Sequence, residues 1–199
     1  MKEGPVFSAK RWGSLFVLKA EAMSMSETIA AISTPRGTGG IAVIRLSGPG
    51  ALTVIGGCFR PDGKSGSWIS HQARHGWIHD GKEPVDEVLV TWYGAPHSYT
   101  GEDVVEVSCH GGPFVSSRIL ELALENGARI AGAGEFTLRA FKNGKIDLTQ
   151  AEAVADLIQA ETEASRRVAA YQLQGRLSQR IESMKERLIE VAALLELEL

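Results

Sequence analysis

Three charged side chains stand in otherwise apolar surroundings: Arg45 within residues 41–46, Glu106 within 104–107, and Lys145 in a loop between two helical stretches. Taken singly, each is most simply a solvated charge on a half-exposed strand or loop. Taken together they are one acid with two bases, and a charge drawn into apolar surroundings needs a partner or a ligand. Such a set suits a flat heterocycle with amide-type donors and an anionic tail. The residues alone leave both readings open.

Other chemistries find less support. Residues 37–42, Gly-Thr-Gly-Gly-Ile-Ala, match the pattern G-x-G-x-x-A. A dinucleotide-binding turn must open a helix whose N-terminus holds the pyrophosphate. Here a strand-like run follows, so the glycines serve a tight turn or the close approach of a flat ligand. The phosphate loop G-x-x-x-x-G-K-[S/T] occurs nowhere in the 199 residues. His71, His75 and His79 are spaced for one face of a helix, but their stretch reads as strand. With only Cys58 and Cys109 beside the five histidines, zinc-ligand spacing is missing and no metal is expected. No triad or activated-cysteine pattern assigns a catalytic residue.

Composition narrows the class. At 44% apolar and 23% charged residues the chain can bury a real core. A net charge of −3 and a pI near 6.0 give no basic excess of the kind that grips a phosphate backbone. Two cysteines suggest a reducing compartment. No stretch approaches the roughly 18 apolar residues a membrane span requires. These features point to a cytoplasmic protein without a membrane partner.

The elements that must position the three charges follow from periodicity. Residues 1–25 show no clear period and read as a disordered extension. Runs at 28–33 and 41–46 are β-branched and flank a Pro-Gly turn. A short helix over 51–59 precedes a polar loop at 61–67. Strands at 70–79 and 85–93 flank Asp80-Gly81, a hairpin signal. In the strand at 103–108, Val105 and Val107 share one face, with Val104, Glu106 and Ser108 on the other. Pro113 opens a helix with an apolar stripe of Val115, Ile119, Leu122 and Ala123; Asn126-Gly127 ends it before a brief strand at 128–131. This mixture predicts an α+β fold, a mixed β-sheet domain with flanking helices, over one doubly wound parallel sheet.

Beyond Gly144 the pattern turns helical. Asp147 is an N-cap with Gln150 three residues on, a capping-box signature. Ala153, Leu157, Ala160 and Ala164 repeat at helical spacing, as do Leu177, Ile181, Met184 and Leu188, so two long helices are expected with Gly175 as a kink. A helix running uncapped into Leu199 reads as one cut short. The expected division is 1–25 extension, 26–143 sheet domain and 144–199 helical segment.

Three ordered blocks closely resemble the N-terminal part of the MnmE/TrmE family of tRNA-modification GTPases. The first runs from Thr28-Ile29-Ala30-Ala31 through residues 34–49. The second is Ser98-Tyr99-Thr100-Gly101-Glu102-Asp103 to Val107, closing with His110-Gly111-Gly112-Pro113. The third is Gly134-Glu135-Phe136-Thr137, Arg139-Ala140-Phe141 and Asn143-Gly144-Lys145 through residue 158, with Leu173-Gln174-Gly175. Departures are small: Tyr99 stands where phenylalanine is usual, Ser108-Cys109 replaces a Gln-Gly-type pair, and the extension before Met25 has no counterpart.

The resemblance implies a tetrahydrofolate-binding, aminomethyltransferase-like domain that dimerises, followed by the first part of a helical domain. Its cofactor would be a reduced folate, 5-formyltetrahydrofolate or 5,10-methylenetetrahydrofolate, held by Arg45, Glu106 and Lys145. In the intact family protein GTP, Mg²⁺ and K⁺ belong to a GTPase domain absent from these residues. The partners implied are a second copy, the FAD-dependent MnmG protein and a tRNA whose wobble uridine is modified. Strand 28–33 is expected to offer an edge for the homodimer. A dimerising scaffold without folate is the alternative. A stand-alone aminomethyltransferase is disfavoured by the block that leads into the long helices.

Without a phosphate loop, the purified chain should release no phosphate from GTP. Turnover above a buffer blank in a phosphate-release assay would overturn this account of the architecture.

Overall fold

The computed structural model describes residues 26–63 and 66–197; the extension expected at 1–25 lies outside the described residues. The described chain falls into two compact units divided between Asn143 and Gly144.

The first unit is built on a seven-stranded mixed sheet. Its strands are β1 (Ile29–Ile32), β2 (Ile41–Ser47), β3 (Phe59–Pro61), β4 (Ala73–Asp80), β5 (Glu83–Tyr93), β6 (Val104–His110) and β7 (Arg129–Ile130), in the order β3-β4-β5-β6-β2-β1-β7. All pairings are antiparallel except β1 with β7. Alternation decides what each face does. Ala42, Ile44 and Leu46 of β2 lie opposite Cys109, Val107 and Val105 of β6. With Val88 and Val90 of β5, they bury against helices α1 (Ala51–Cys58) and α2 (Pro113–Glu125). The stripe on α2 is as expected in Ile119, Leu122 and Ala123, all buried, while Val115 is partly buried. The opposite face is open, as one side of an antiparallel sheet commonly is, and it carries Arg45 and Glu106.

Three expectations are corrected. Strand 28–33 is no edge: β1 is hydrogen-bonded to β2 on one side and β7 on the other. The edges are β3 and β7, of three and two residues, so the edge argument for self-association fails. The polar loop starts later, because Phe59–Pro61 adds a strand whose proline sits at the sheet margin. Gly76 permits that addition, since a Cβ there would lie 2.3 Å from the Arg60 carbonyl oxygen. Finally, β4 begins at Ala73, and the three residues before it form a turn in which His71 has a left-handed φ of +66°.

Helix α3 (Glu135–Lys142) is fastened by buried charge. Arg139 is 1% exposed and Glu135 2%. Arg139 donates to Glu102 Oε2 at 3.0 Å and to Glu135 Oε1 at 3.1 Å. Glu135 also accepts from both Arg129 terminal nitrogens and from the Gly132 amide. Ser47 closes the network by donating to Glu102 Oε2 at 2.7 Å, and Asn143 donates to the Thr100 carbonyl. Burial pushes the Glu135 carboxyl up, but hydrogen bonds from Arg129, Gly132 and Arg139 outweigh it and hold it below its ordinary 4.5.

In the second unit the expected pair of helices is three: α4 (Leu148–Ile158), α5 (Glu163–Leu173) and α6 (Arg176–Leu197). The Asp147–Gln150 capping box forms as expected. A second box at Thr162, closed by Ser165, starts α5 and breaks the apolar repeat after Leu157, leaving Ala160 outside any helix. Gly175, at φ +74°, separates α5 from α6, and Gln150 donates to the Leu173 carbonyl beside it.

Arg139→Met should cost about 3–5 kcal/mol at neutral pH, because Glu135 and Glu102 each lose a buried partner. Glu135's depressed pKa makes its share of stability present above pH 4.5 and lost as pH falls through its folded value. The deficit should therefore shrink on acidification. Urea melts across that range give the answer, and a neutral-pH loss under about 1 kcal/mol would mark the network as dispensable, no larger than an exposed pair.

Candidate ligand-binding site

Register brings Arg45 and Glu106 face to face. They are Cα partners across β2 and β6, with Thr91 of β5 next in the same row. Arg45 donates Nε to Glu106 Oε1 at 2.8 Å, and Nη2 approaches the same oxygen at 2.7 Å. Glu106 Oε2 is left with one long contact, the Tyr93 hydroxyl at 3.5 Å. Both charges are about a quarter exposed, at 26% and 25%. A ligand can therefore reach a carboxylate with one oxygen nearly unused.

Aromatic rings wall the pair. The Arg45 guanidinium carbon lies 5.2 Å from the Tyr99 ring centre and 5.7 Å from that of Phe136, within cation–π range. Tyr99 is fixed by a 2.9 Å hydrogen bond between its hydroxyl and that of Thr137. Phe136 and Thr137 belong to α3, which the Arg139 network holds in place. Across the pair stands Tyr93, whose hydroxyl pKa is raised by burial first and then by the Glu106 charge. It stays a protonated donor. Arg45 and Glu106 were legible as charges among apolar residues; Tyr93, Tyr99 and Phe136 were not assigned.

Lys145, the third expected residue, belongs to the second unit, between α3 and α4 in sequence. The glycine turn at 37–40 leads into β2, not a helix. It leans on the glycines after β6: Gly39 donates to the Gly111 carbonyl at 2.9 Å, and a Cβ on Gly111 would fall 2.5 Å from the Gly39 carbonyl oxygen. Close backbone approach is the work of these glycines.

The remaining reactive groups are accounted for locally. Burial pushes the Cys58 and Cys109 thiols up to about 11, Asp86 adding to the effect at Cys109. His75 stands between Asp62, 2.6 Å from Nδ1, and Glu87, 2.9 Å from Nε2; all three are exposed, with one ligand atom of each within 4.8 Å of the others. A groove of about 240 Å³ runs further along the open face, between Ile41, His75, Glu87, Leu89, Ser108 and His110. Arg45 and Glu106 do not line it. The charge pair is the better candidate, because rings and donors from separate elements converge there.

Fold and site together define an α+β domain with a walled acid–base pair on its open sheet face, followed by a helical unit. Residues 28–145 match the family described as GTP-binding protein TrmE N-terminus, and residues 148–199 match the MnmE helical domain. The chain belongs to the TrmE (MnmE) family. It is 50% identical over 173 residues to the tRNA modification GTPase MnmE of Thermotoga maritima, covering 87% of this chain and 38% of that protein. Against the protein of the same name from Christiangramia forsetii, identity is 46% over 179 residues, covering 89% and 38%. For that of Bacteroides fragilis it is 46% over 177 residues, covering 87% and 38%. The chain thus spans little more than a third of the length of these curated relatives. Among the described residues no helix is long and apolar enough to cross a membrane.

Proposed function

We propose that this chain binds a reduced folate, 5-formyl- or 5,10-methylenetetrahydrofolate, at the Arg45–Glu106 pair and mediates homodimerisation. Within a longer cytoplasmic protein it would serve GTP-dependent modification of a tRNA wobble uridine, together with the MnmG protein. GTP, Mg²⁺ and K⁺ would be bound outside these residues. The observation that carries the folate reading is the half-open carboxylate of Glu106, flanked by aromatic rings. Oε2, with its lone pairs nearly unused, can accept N–H bonds from the aminopyrimidinone edge of a pterin while Oε1 stays with Arg45. Lys145 is proposed as a further folate contact on the family resemblance alone. Self-association is supported by the open face, where Ile41, Leu89 and Trp77 are 69%, 47% and 38% exposed.

A second reading, a dimerising scaffold without folate, draws on one observation. Each charge of the pair already has a partner, and a partly exposed cross-strand ion pair requires no ligand.

Calorimetric titration with 5-formyltetrahydrofolate separates the two. Glu106→Ala should weaken binding by roughly 2–4 kcal/mol. Glu106→Gln should bind poorly too, because its amide presents a donor where a second acceptor is required. Arg45→Lys should be nearly as damaging as Arg45→Ala, since an ammonium reproduces neither the two-nitrogen contact nor the flat surface between rings. Circular dichroism should show all four folded. Affinity near wild type in Glu106→Ala would return the carboxylate to a plain cross-strand partner.

Sedimentation of the chain at tens of micromolar should show a dimer. A monomer across that range would remove self-association through these residues from the proposal.

A further inference from the structure

The turn before β4 places a strained histidine beside the site. His71 has φ +66°, a region costly for a residue with a Cβ, by about 1–2 kcal/mol. Among the described residues it is the one non-glycine with positive φ. Strain of this kind persists where surrounding contacts over-determine it, and here they do. The His71 amide donates to the Trp92 carbonyl at 2.7 Å. Its ring Nδ1 lies 2.7 Å from the Ser70 hydroxyl, which in turn accepts from the Gly94 amide at 2.8 Å. The ring meets Tyr93 edge-on, centroids 5.2 Å apart at 90°, a favoured aromatic geometry.

Tyr93 is the other half of the arrangement. At 3.5 Å its hydroxyl is too far from Glu106 Oε2 to be held firmly, leaving the proton free for a better acceptor. The edge of an aminopyrimidinone presents two N–H donors and then a carbonyl oxygen. Glu106 meets the donors; the carbonyl requires a donor beside Glu106.

We propose that Tyr93 is a ligand-binding residue whose hydroxyl donates to the carbonyl beside the N–H pair, and that His71 is a positioning residue holding the Tyr93 ring at that post. This rests on the folate reading of the site. From that turn the His71 ring meets Tyr93 at right angles, 5.2 Å between centroids.

The test is titration of the chain with 5-formyltetrahydrofolate, paired with thermal melts. Tyr93→Phe should bind about five- to tenfold more weakly, the loss of one neutral hydrogen bond. His71→Gly and His71→Asn both tolerate the left-handed backbone and remove the ring, so melting temperature should hold or rise while affinity falls by a similar factor. In the double variant Tyr93→Phe/His71→Gly the second change should add little, since it acts through the same hydroxyl. Wild-type affinity in Tyr93→Phe overturns the proposal, as does wild-type affinity in both His71 variants. Fully additive losses overturn the positioning role. A wild-type chain that takes up no folate sinks the site reading and this proposal together. A wild type that binds, with variants that bind equally, sinks this proposal alone.

Discussion

The buried guanidinium of Arg139 joins separated pieces of chain: the end of β2 through Ser47, the loop after β5 through Glu102, and α3 itself through Glu135. Taking such charges out of water costs several kcal/mol each, and only well-placed opposite charges offset it. One donor, Arg139 Nε, has no hydrogen-bond partner among the described residues, so the network is not optimised for stability. What it supplies is placement. Because α3 cannot slide without uncovering an ion, Phe136 and Thr137 are fixed, and through Thr137 so is Tyr99.

The acid–base pair is of a different kind. Arg45 and Glu106 are neighbours by strand register and remain partly wet, so their attraction contributes little to folding. That low stake suits a binding role. A ligand that displaces the residual water and seats between the rings would strengthen every charge-assisted bond there, because the effective dielectric falls. Rigid walls and a loosely committed centre thus divide the labour between α3 and the sheet.

Much of this was legible in the residues. Alternation in β6 set Val105 and Val107 apart from Glu106, Arg45 stood out as a charge within an apolar run, and the Asp147–Gln150 box marked the start of α4. What stayed hidden has physical causes. Strand β3 is too short to show a period and ends in proline. Ser165 caps Thr162 with a hydroxyl where the usual signature has Glu or Gln, so the break between α4 and α5 left no mark. Arg139 reads as a surface cation, since arginine is seldom buried; the Glu135–Arg139 spacing was a hint of a pair, not of its burial. Tyr99 and Phe136 lie far from Arg45 in sequence, and only the fold brings them to it.

The strand order has a consequence for how the domain comes into being. The first strand is sealed by the last: β7 pairs in parallel with β1, and Arg129 reaches Glu27 across 102 positions of chain. Contacts of such long range close slowly, because the loop entropy must be spent before they form. On a ribosome, the antiparallel hairpin of β4 and β5 can assemble as it emerges, while β1 waits with one side unpaired until about residue 130 has appeared. The sheet is therefore completed only as α3 follows from the exit tunnel, and during that interval β1 is the strand most open to mispairing or to a chaperone.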